Sequence, residues 1–181
     1  MSDTAKNIYD SEARQPGLRV GRAVSRSRVL EIIGVLAVLI ALIASVLFFF
    51  LGVSRVQGNS MYPTYKDGEI VWYFRNFQEY SRGDVIMLRM PGGESYIKRI
   101  TAVPGDMVDV DGGKLYVNGR AVNEPYADGE TYRKEDGIMV YPYKLPKGKY
   151  FVMGDNRTVS EDSRNVGPVS SVQIKGKIAG Q

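Results

Sequence analysis

A mostly-β domain behind one membrane-spanning helix is the architecture this sequence predicts, and three observations predict it. Residues Ile32 to Val53 form a run of 22 residues without a charge. Beyond Val53 the chain changes to short apolar stretches of four to nine residues punctuated by Gly, Pro and Asp, the pattern of strands and turns. No window after residue 54 sustains an apolar stripe of helical period. A length of 181 residues leaves room for one domain plus an appendage, not for two full-sized domains.

The first element is a basic arm, residues 1–28, with six cations against three acids. Five of those cations lie between Arg14 and Arg28, with no acid after Glu12. The remaining 153 residues hold 18 cations and 17 acids, so the net charge of +4 belongs mainly to the arm. A nucleic-acid domain carries its basic face on the folded part, so nucleic acid is excluded as a partner. Residues 1–13 are polar enough to be expected disordered.

The second element, residues 29–53, is expected to be the anchor. As a helix its uncharged run is about 33 Å long, enough to cross a hydrocarbon core of about 30 Å. A cleaved secretory signal has an apolar core of about 7–15 residues, and no A-x-A pattern follows this longer one. The lipid bilayer is therefore a partner. Arginines on the N-terminal side place that end in the cytoplasm and residues 54–181 on the extracytoplasmic face of the cell membrane.

Strands are expected at 68–74, 84–90, 95–103, 107–111, 114–118, 138–141, 149–153 and 172–180. Asp111-Gly112-Gly113 and Asn118-Gly119 supply residues that tolerate positive φ and read as hairpin turns. Together they make a barrel or a folded sheet. Residues 123–137 are polar and turn-rich, the expected mobile excursion. Trp72, Tyr73, Phe74, Phe77 and Tyr80 follow soon after the anchor. Strand alternation assigns part of this aromatic group to the core, and Phe77 and Tyr80 are expected to touch the membrane interface.

The chain has no His and no Cys, which removes whole classes of chemistry. There can be no Ser-His-Asp triad, histidine acid/base, cysteine nucleophile, disulfide or Cys-rich metal site. Asp106, Asp109 and Asp111 have strand and turn spacing with nothing nearby to complete a cage, so no metal or other cofactor is expected. Two residues then stand out. Ser60 lies in Gly58-Asn59-Ser60-Met61-Tyr62-Pro63-Thr64, a rigid turn whose amides can form an oxyanion-binding nest. By itself such a serine is more often structural than catalytic. Lys98 lies in SYIKRITAV, where alternation groups it with Tyr96, Ile100 and Ala102 and turns Arg99 the other way. A desolvated ammonium loses its proton more readily and becomes a usable base, whereas an edge-strand lysine merely snorkels to water. Without histidine, Ser plus a desolvated Lys is the remaining nucleophile–base pair at neutral pH.

Four boxes in order carry a resemblance. They are Ser60-Met61-Tyr62-Pro63-Thr64, Gly83-Asp84-Val85, Tyr96-Ile97-Lys98-Arg99-Ile100 with Pro104-Gly105-Asp106, and Gly154-Asp155-Asn156-Arg157 with Ser160-Glu161-Asp162-Ser163-Arg164. Over residues 55–170 the chain resembles the bacterial type I signal peptidases of short, single-anchor form. The resemblance implies a signal-peptidase-like catalytic domain that cuts signal peptides from exported preproteins. It implies Ser60 as nucleophile, Lys98 as general base, and Ser160 as the hydroxyl that orients the lysine amine. Arg99, Asp155, Asp162 and Arg164 would brace the site as ion pairs, and Met61 and Gly58 would line the substrate pocket. Gly58 departs from members that carry a hydroxyl two residues before the nucleophile, so the oxyanion hole must rely on backbone amides. The 47 residues between Asp106 and Gly154 leave no room for the large inserted domain of longer relatives.

Three other readings compete. A self-cleaving repressor-type Ser-Lys protein would need a small-residue/Gly bond upstream of the nucleophile, but the Ala-Gly pair here is Ala179-Gly180. A pilus-assembly factor dedicated to pilin export is the alternative on the same fold, although relatives known for a purely chaperone role lack the dyad residues. A tethered β-module that only binds is what remains if Ser60 and Lys98 lie far apart.

Overall fold

The structure is a computed structural model that describes residues 25–75, 79–90 and 92–179. The chain divides into two compact units, residues 1–42 and 43–181. Helix α1 (Arg26–Phe50) begins in the first and ends in the second. None of its side chains is buried in protein. A helix apolar on every side needs an apolar solvent, and at about 37 Å this one is long enough to cross a membrane.

The strands that follow are β1 (Leu51–Arg55), β2 (Ile70–Phe74), β3 (Val85–Arg89), β4 (Ser95–Ala102), β5 (Met107–Asp111), β6 (Lys114–Val117), β7 (Arg120–Ala121), β8 (Tyr143–Lys144), β9 (Lys149–Met153), β10 (Val169–Ser170) and β11 (Ile174–Ile178). A single helical turn, α2 (Ser163–Val166), separates β9 from β10. Seven strands form one antiparallel sheet in the order β1-β2-β11-β3-β4-β9-β10, and four form another in the order β7-β6-β5-β8. Both expected hairpin turns are present. Gly112 and Gly113 join Asp111 to its partner Lys114, and Asn118 and Gly119 join Val117 to Arg120, all four with positive φ. That is the two-residue turn whose twist matches the strands it joins.

Strand β3 buries both faces, Val85 and Met87 into one apolar cluster and Ile86 and Leu88 into another. Strand β4 does the same from Ile97 onward. Its neighbour β3 pairs with it from Ser95 to Arg99, and β9 on the other side only from Arg99 to Ala102. The half of β4 from Ser95 to Lys98 therefore keeps one edge open. Strand β1 is the terminal strand of its sheet and keeps an open edge as well.

Four expectations are corrected. The apolar run was expected to stay helical through Val53, but the chain is extended from Leu51. Gly52 is the local reason: the ring of its partner Tyr73 lies across it, and a Cβ there would stand 2.1 Å from Tyr73 Cζ. Residues 138–141 are not a strand. Met139 and Tyr141 do pack inward and Ile138 and Val140 outward, as alternation requires, but the Ile138 N–H donates to Asn165 O outside any ladder. Pro142, which has no N–H, follows directly, and pairing with β5 resumes at Tyr143. The segment 123–137 is tied down, with Asp128 paired to Asn156 and Thr131 N–H donating to Gly113 O. Tyr80 does not reach for a membrane. Its ring packs edge-on against Tyr150, with centroids 5.9 Å apart. Phe77 lies outside the described residues, as do residues 1–24 of the arm.

Candidate active site

The loop after β1 carries Ser60, half-buried, and several bonds fix its shape. The Gly58 N–H donates to Asp67 Oδ1 at 2.8 Å, Tyr62 N–H to Asn59 O, and Tyr65 N–H to Met61 O. Met61 is buried in the apolar cluster beneath, so the residue after Ser60 pins the loop to the core. The Ser60 carbonyl accepts from Asn156 N–H at 3.1 Å. Gly154 passes close by: a Cβ there would be 2.4 Å from Ser60 O and 2.3 Å from Ser160 Oγ. Only glycine fits at this crossing, which explains the first residue of the Gly154-Asp155-Asn156-Arg157 box.

Lys98 is reached from β4. Its side chain is 4% exposed and lies on the face it shares with Ile100. Ser60 and Lys98 line one cleft of about 360 Å³, together with Gln57, Gly58, Asn59, Tyr96, Val159 and Glu161. Among the described residues no carboxylate forms an ion pair with Lys98. Burial pushes its ammonium down from 10.5 to about 8, against the opposing pull of Asp162 and Glu161. About a tenth of the amines are then neutral at pH 7, against well under a thousandth for an exposed lysine. The Ser60 N–H has no acceptor among the described residues, which leaves it available to a developing oxyanion.

Gly58 has φ of +76° and its N–H is taken by Asp67. That strained backbone suits glycine, so the missing hydroxyl at this position is a matter of conformation as well as of side chain.

Two buried ion pairs brace the site. Arg99 holds Asp155 in a fork, Nε to Oδ1 at 2.8 Å and Nη2 to Oδ2 at 2.7 Å, and donates its third arm to Gly83 O. Arg164 holds Asp162 the same way, both contacts at 2.9 Å. Burial alone would raise the Asp162 carboxyl, but Arg164 and the Ser160 hydroxyl hold it below the usual carboxylate range. Asp162 also caps α2 and accepts from Gly154 N–H. Ser160 is buried, and its hydroxyl accepts from Gly154 N–H at 3.1 Å; among the described residues no hydrogen bond joins it to the lysine amine.

Sequence reasoning overlooked four supporting residues. Thr64 donates its hydroxyl to Asp155 and ties the Ser60 loop to that ion pair. Arg157 forks onto Glu124 at 2.7 and 2.8 Å while its Nε donates to Gly154 O. The Arg99 guanidinium sits over the Tyr126 ring, with Cζ 4.1 Å from the ring centroid. Thr64 and Arg157 sit inside boxes already singled out, whereas Glu124 and Tyr126 are in the polar stretch read as an excursion. The three candidate metal carboxylates serve otherwise: Asp106 pairs with Arg82, Asp109 with Arg133, and Asp111 stands at a hairpin turn.

The family model described as "Signal peptidase, peptidase S26" matches residues 28–180. The Signal peptidase I S of Bacillus subtilis is 41% identical over 154 residues, covering 77% of this chain and 82% of that protein. The Signal peptidase I of Bacillus licheniformis is 37% identical over 155 residues, with coverages of 77% and 82%. The Signal peptidase IB of Staphylococcus aureus is 34% identical over 172 residues, with coverages of 85% and 89%. With a buried, unpaired lysine and a loop serine on one cleft, and with a match across nearly all the described chain, this protein belongs to the peptidase S26 family of signal peptidases.

Proposed function

We propose that Ser60 attacks the scissile carbonyl of a signal peptide and that Lys98 takes its proton. The reaction class itself follows from the family: the chain is a serine endopeptidase that cleaves signal peptides from preproteins. The observation that carries the residue assignment is a buried Lys98 without a carboxylate partner on the same cleft wall as Ser60. Lys98 acts first as base and then returns the proton to the leaving amine. The Ser60 N–H stabilises the oxyanion, and Arg99, Asp155, Asp162 and Arg164 hold both catalytic segments in place. Ser160 acts on this arrangement through Gly154 and Asp162, and Met61 lines the pocket for the residue before the cut. A role dedicated to pilin export is not favoured, since both dyad residues are present.

The substrate enters as an added strand. The open edge of β1 and the open half of β4 flank a groove of about 300 Å³ that ends at Ser60, with Val56, Met61 and Ile97 in its lining. An extended peptide there offers main-chain bonds to both edges and turns the side chains at −1 and −3 the same way. In topology, residues 1–28 stay in the cytoplasm, α1 spans the membrane, and the β-domain works on the outer face.

The test uses the full chain in detergent with a preprotein and product mass as readout. Wild type should cut, and Ser60→Ala should not. Ala→Leu at −1 or −3 should block cleavage far more than the same change at −2. Equal sensitivity at all three positions would remove strand-like binding, and turnover by Ser60→Ala would remove the nucleophile.

A further inference from the structure

Two depressions meet at Ser60 and share Gln57, Ser60 and Tyr96. A peptide that crosses the nucleophile must occupy both. One is the groove flanked by strand edges, which suits an added strand with small apolar side chains before the cut. The other is walled by the loops around Gly58 and Val159 and takes the residues released as the new N-terminus. Besides the Tyr96 phenol, which donates to Glu94, its ionisable lining groups are Lys98 and Glu161. Lys98 works as a neutral amine at the scissile bond. Glu161 is exposed, with no ion-pair partner among the described residues, whereas its neighbour Asp162 is turned inward onto Arg164. The exit side of the cleft thus carries, beside the buried Lys98, one exposed carboxylate that has no ion-pair partner among the described residues.

We infer that Glu161 is a specificity residue for the first residues after the scissile bond, favouring cationic side chains there and disfavouring acidic ones. This rests on the assignment of Ser60 and Lys98 to one cleft. An exposed charge pair is weak, and a Lys-for-Glu exchange in the substrate replaces repulsion with attraction, so about a three- to ten-fold difference in kcat/KM is expected.

The experiment compares peptides with Ala at −3 and −1 that differ only in Lys, Gln or Glu, placed at +1 in one set and at +2 in another. Wild type, Glu161→Gln and Glu161→Lys are assayed as full chains in nonionic detergent, at low and high salt. The readout is the Lys/Glu ratio of kcat/KM within each protein, which cancels any change in folding or in Lys98 common to all peptides. Wild type should prefer Lys in at least one set, less so at high salt. Glu161→Gln should bring that ratio near one, and Glu161→Lys should invert it. An unchanged ratio in Glu161→Gln, or no charge preference in wild type, overturns the inference while leaving the dyad intact. Failure of wild type to cut the Gln peptides overturns the dyad assignment and this inference with it.

Discussion

Lys98 and Arg99 are neighbours on β4, and they solve the same problem in opposite ways. Both are cations removed from water, 4% and 7% exposed. Alternation sends them to opposite faces of a strand buried on both sides. Arg99 meets the Asp155 carboxylate in a two-point fork and lies under the Tyr126 ring, so its charge is matched. Lys98 has the Tyr96 ring 5.6 Å away but, among the described residues, no carboxylate in ion-pair contact, and its proton is loosened instead. Guanidinium cannot give up its proton, so it must be paired, whereas ammonium can. On the proposed mechanism, one strand supplies both a brace and a base.

The sharpest way to break this comparison is to make the two residues alike. Lys98→Arg should lower kcat/KM by about 10⁴-fold or more, because a permanently protonated side chain cannot act as base. In wild type kcat/KM should rise with pH through a limb near 8, the value to which burial brings Lys98. A limb near 10 would mean the amine is solvated.

Asp155→Asn attacks the other face. It leaves Arg99 buried without its carboxylate, and the full chain should lose about 3–5 kcal/mol in denaturant unfolding. Loss of under 1 kcal/mol would show that Gly83 O and Tyr126 suffice to hold the charge.

Lys98→Met should do the reverse and stabilise the protein, by about 3 kcal/mol at neutral pH, because it removes a burial cost worth the shift from 10.5 to about 8. The sign follows from proton binding. Between those two values the unfolded chain keeps the lysine proton and the folded chain does not, so wild-type stability rises as pH climbs through that window. The advantage of Lys98→Met should be full below 8 and shrink above it, measured by unfolding at several pH values.

Smallest is Gly58→Ser. Open space surrounds a Cβ at that position, so the cost is that of a positive φ, about 1–2 kcal/mol at one residue. Its kcat/KM should not exceed wild type, since the added hydroxyl hangs on a strained loop. A clear gain would show that the oxyanion hole lacks a donor.

Much of the candidate site was legible because its residues come in short boxes, each lying on one strand or turn. Ser60 and Lys98 needed only local pattern and the absence of histidine to be noticed, whereas the site roles of Arg99 and the Asp155–Arg164 stretch came from the resemblance to signal peptidases. Glu124 and Tyr126 were not legible. They lie 33 residues before Arg157 and 27 after Arg99, in a polar stretch whose composition is that of a loop, and nothing local marks a buried ion pair or a stacked ring. The same limit explains residues 138–141, where an alternating pattern was right about which side chains face inward and wrong about backbone pairing.

What the sequence determined by itself is what depends on neighbours along the chain. The uncharged run sets a helix long and apolar enough to cross a membrane, the Gly-Gly and Asn-Gly pairs set two hairpins, and alternation turns Lys98 and Arg99 apart. Tertiary structure decided what depends on residues distant in sequence. It set where the helix ends, because Tyr73 needs the space above Gly52. It also set which buried cation is paired, because Asp155 arrives from the end of β9 on one face of β4 and, among the described residues, no carboxylate pairs with Lys98 on the other. Charge is written residue by residue, but the cost of burying it depends on what the fold brings alongside.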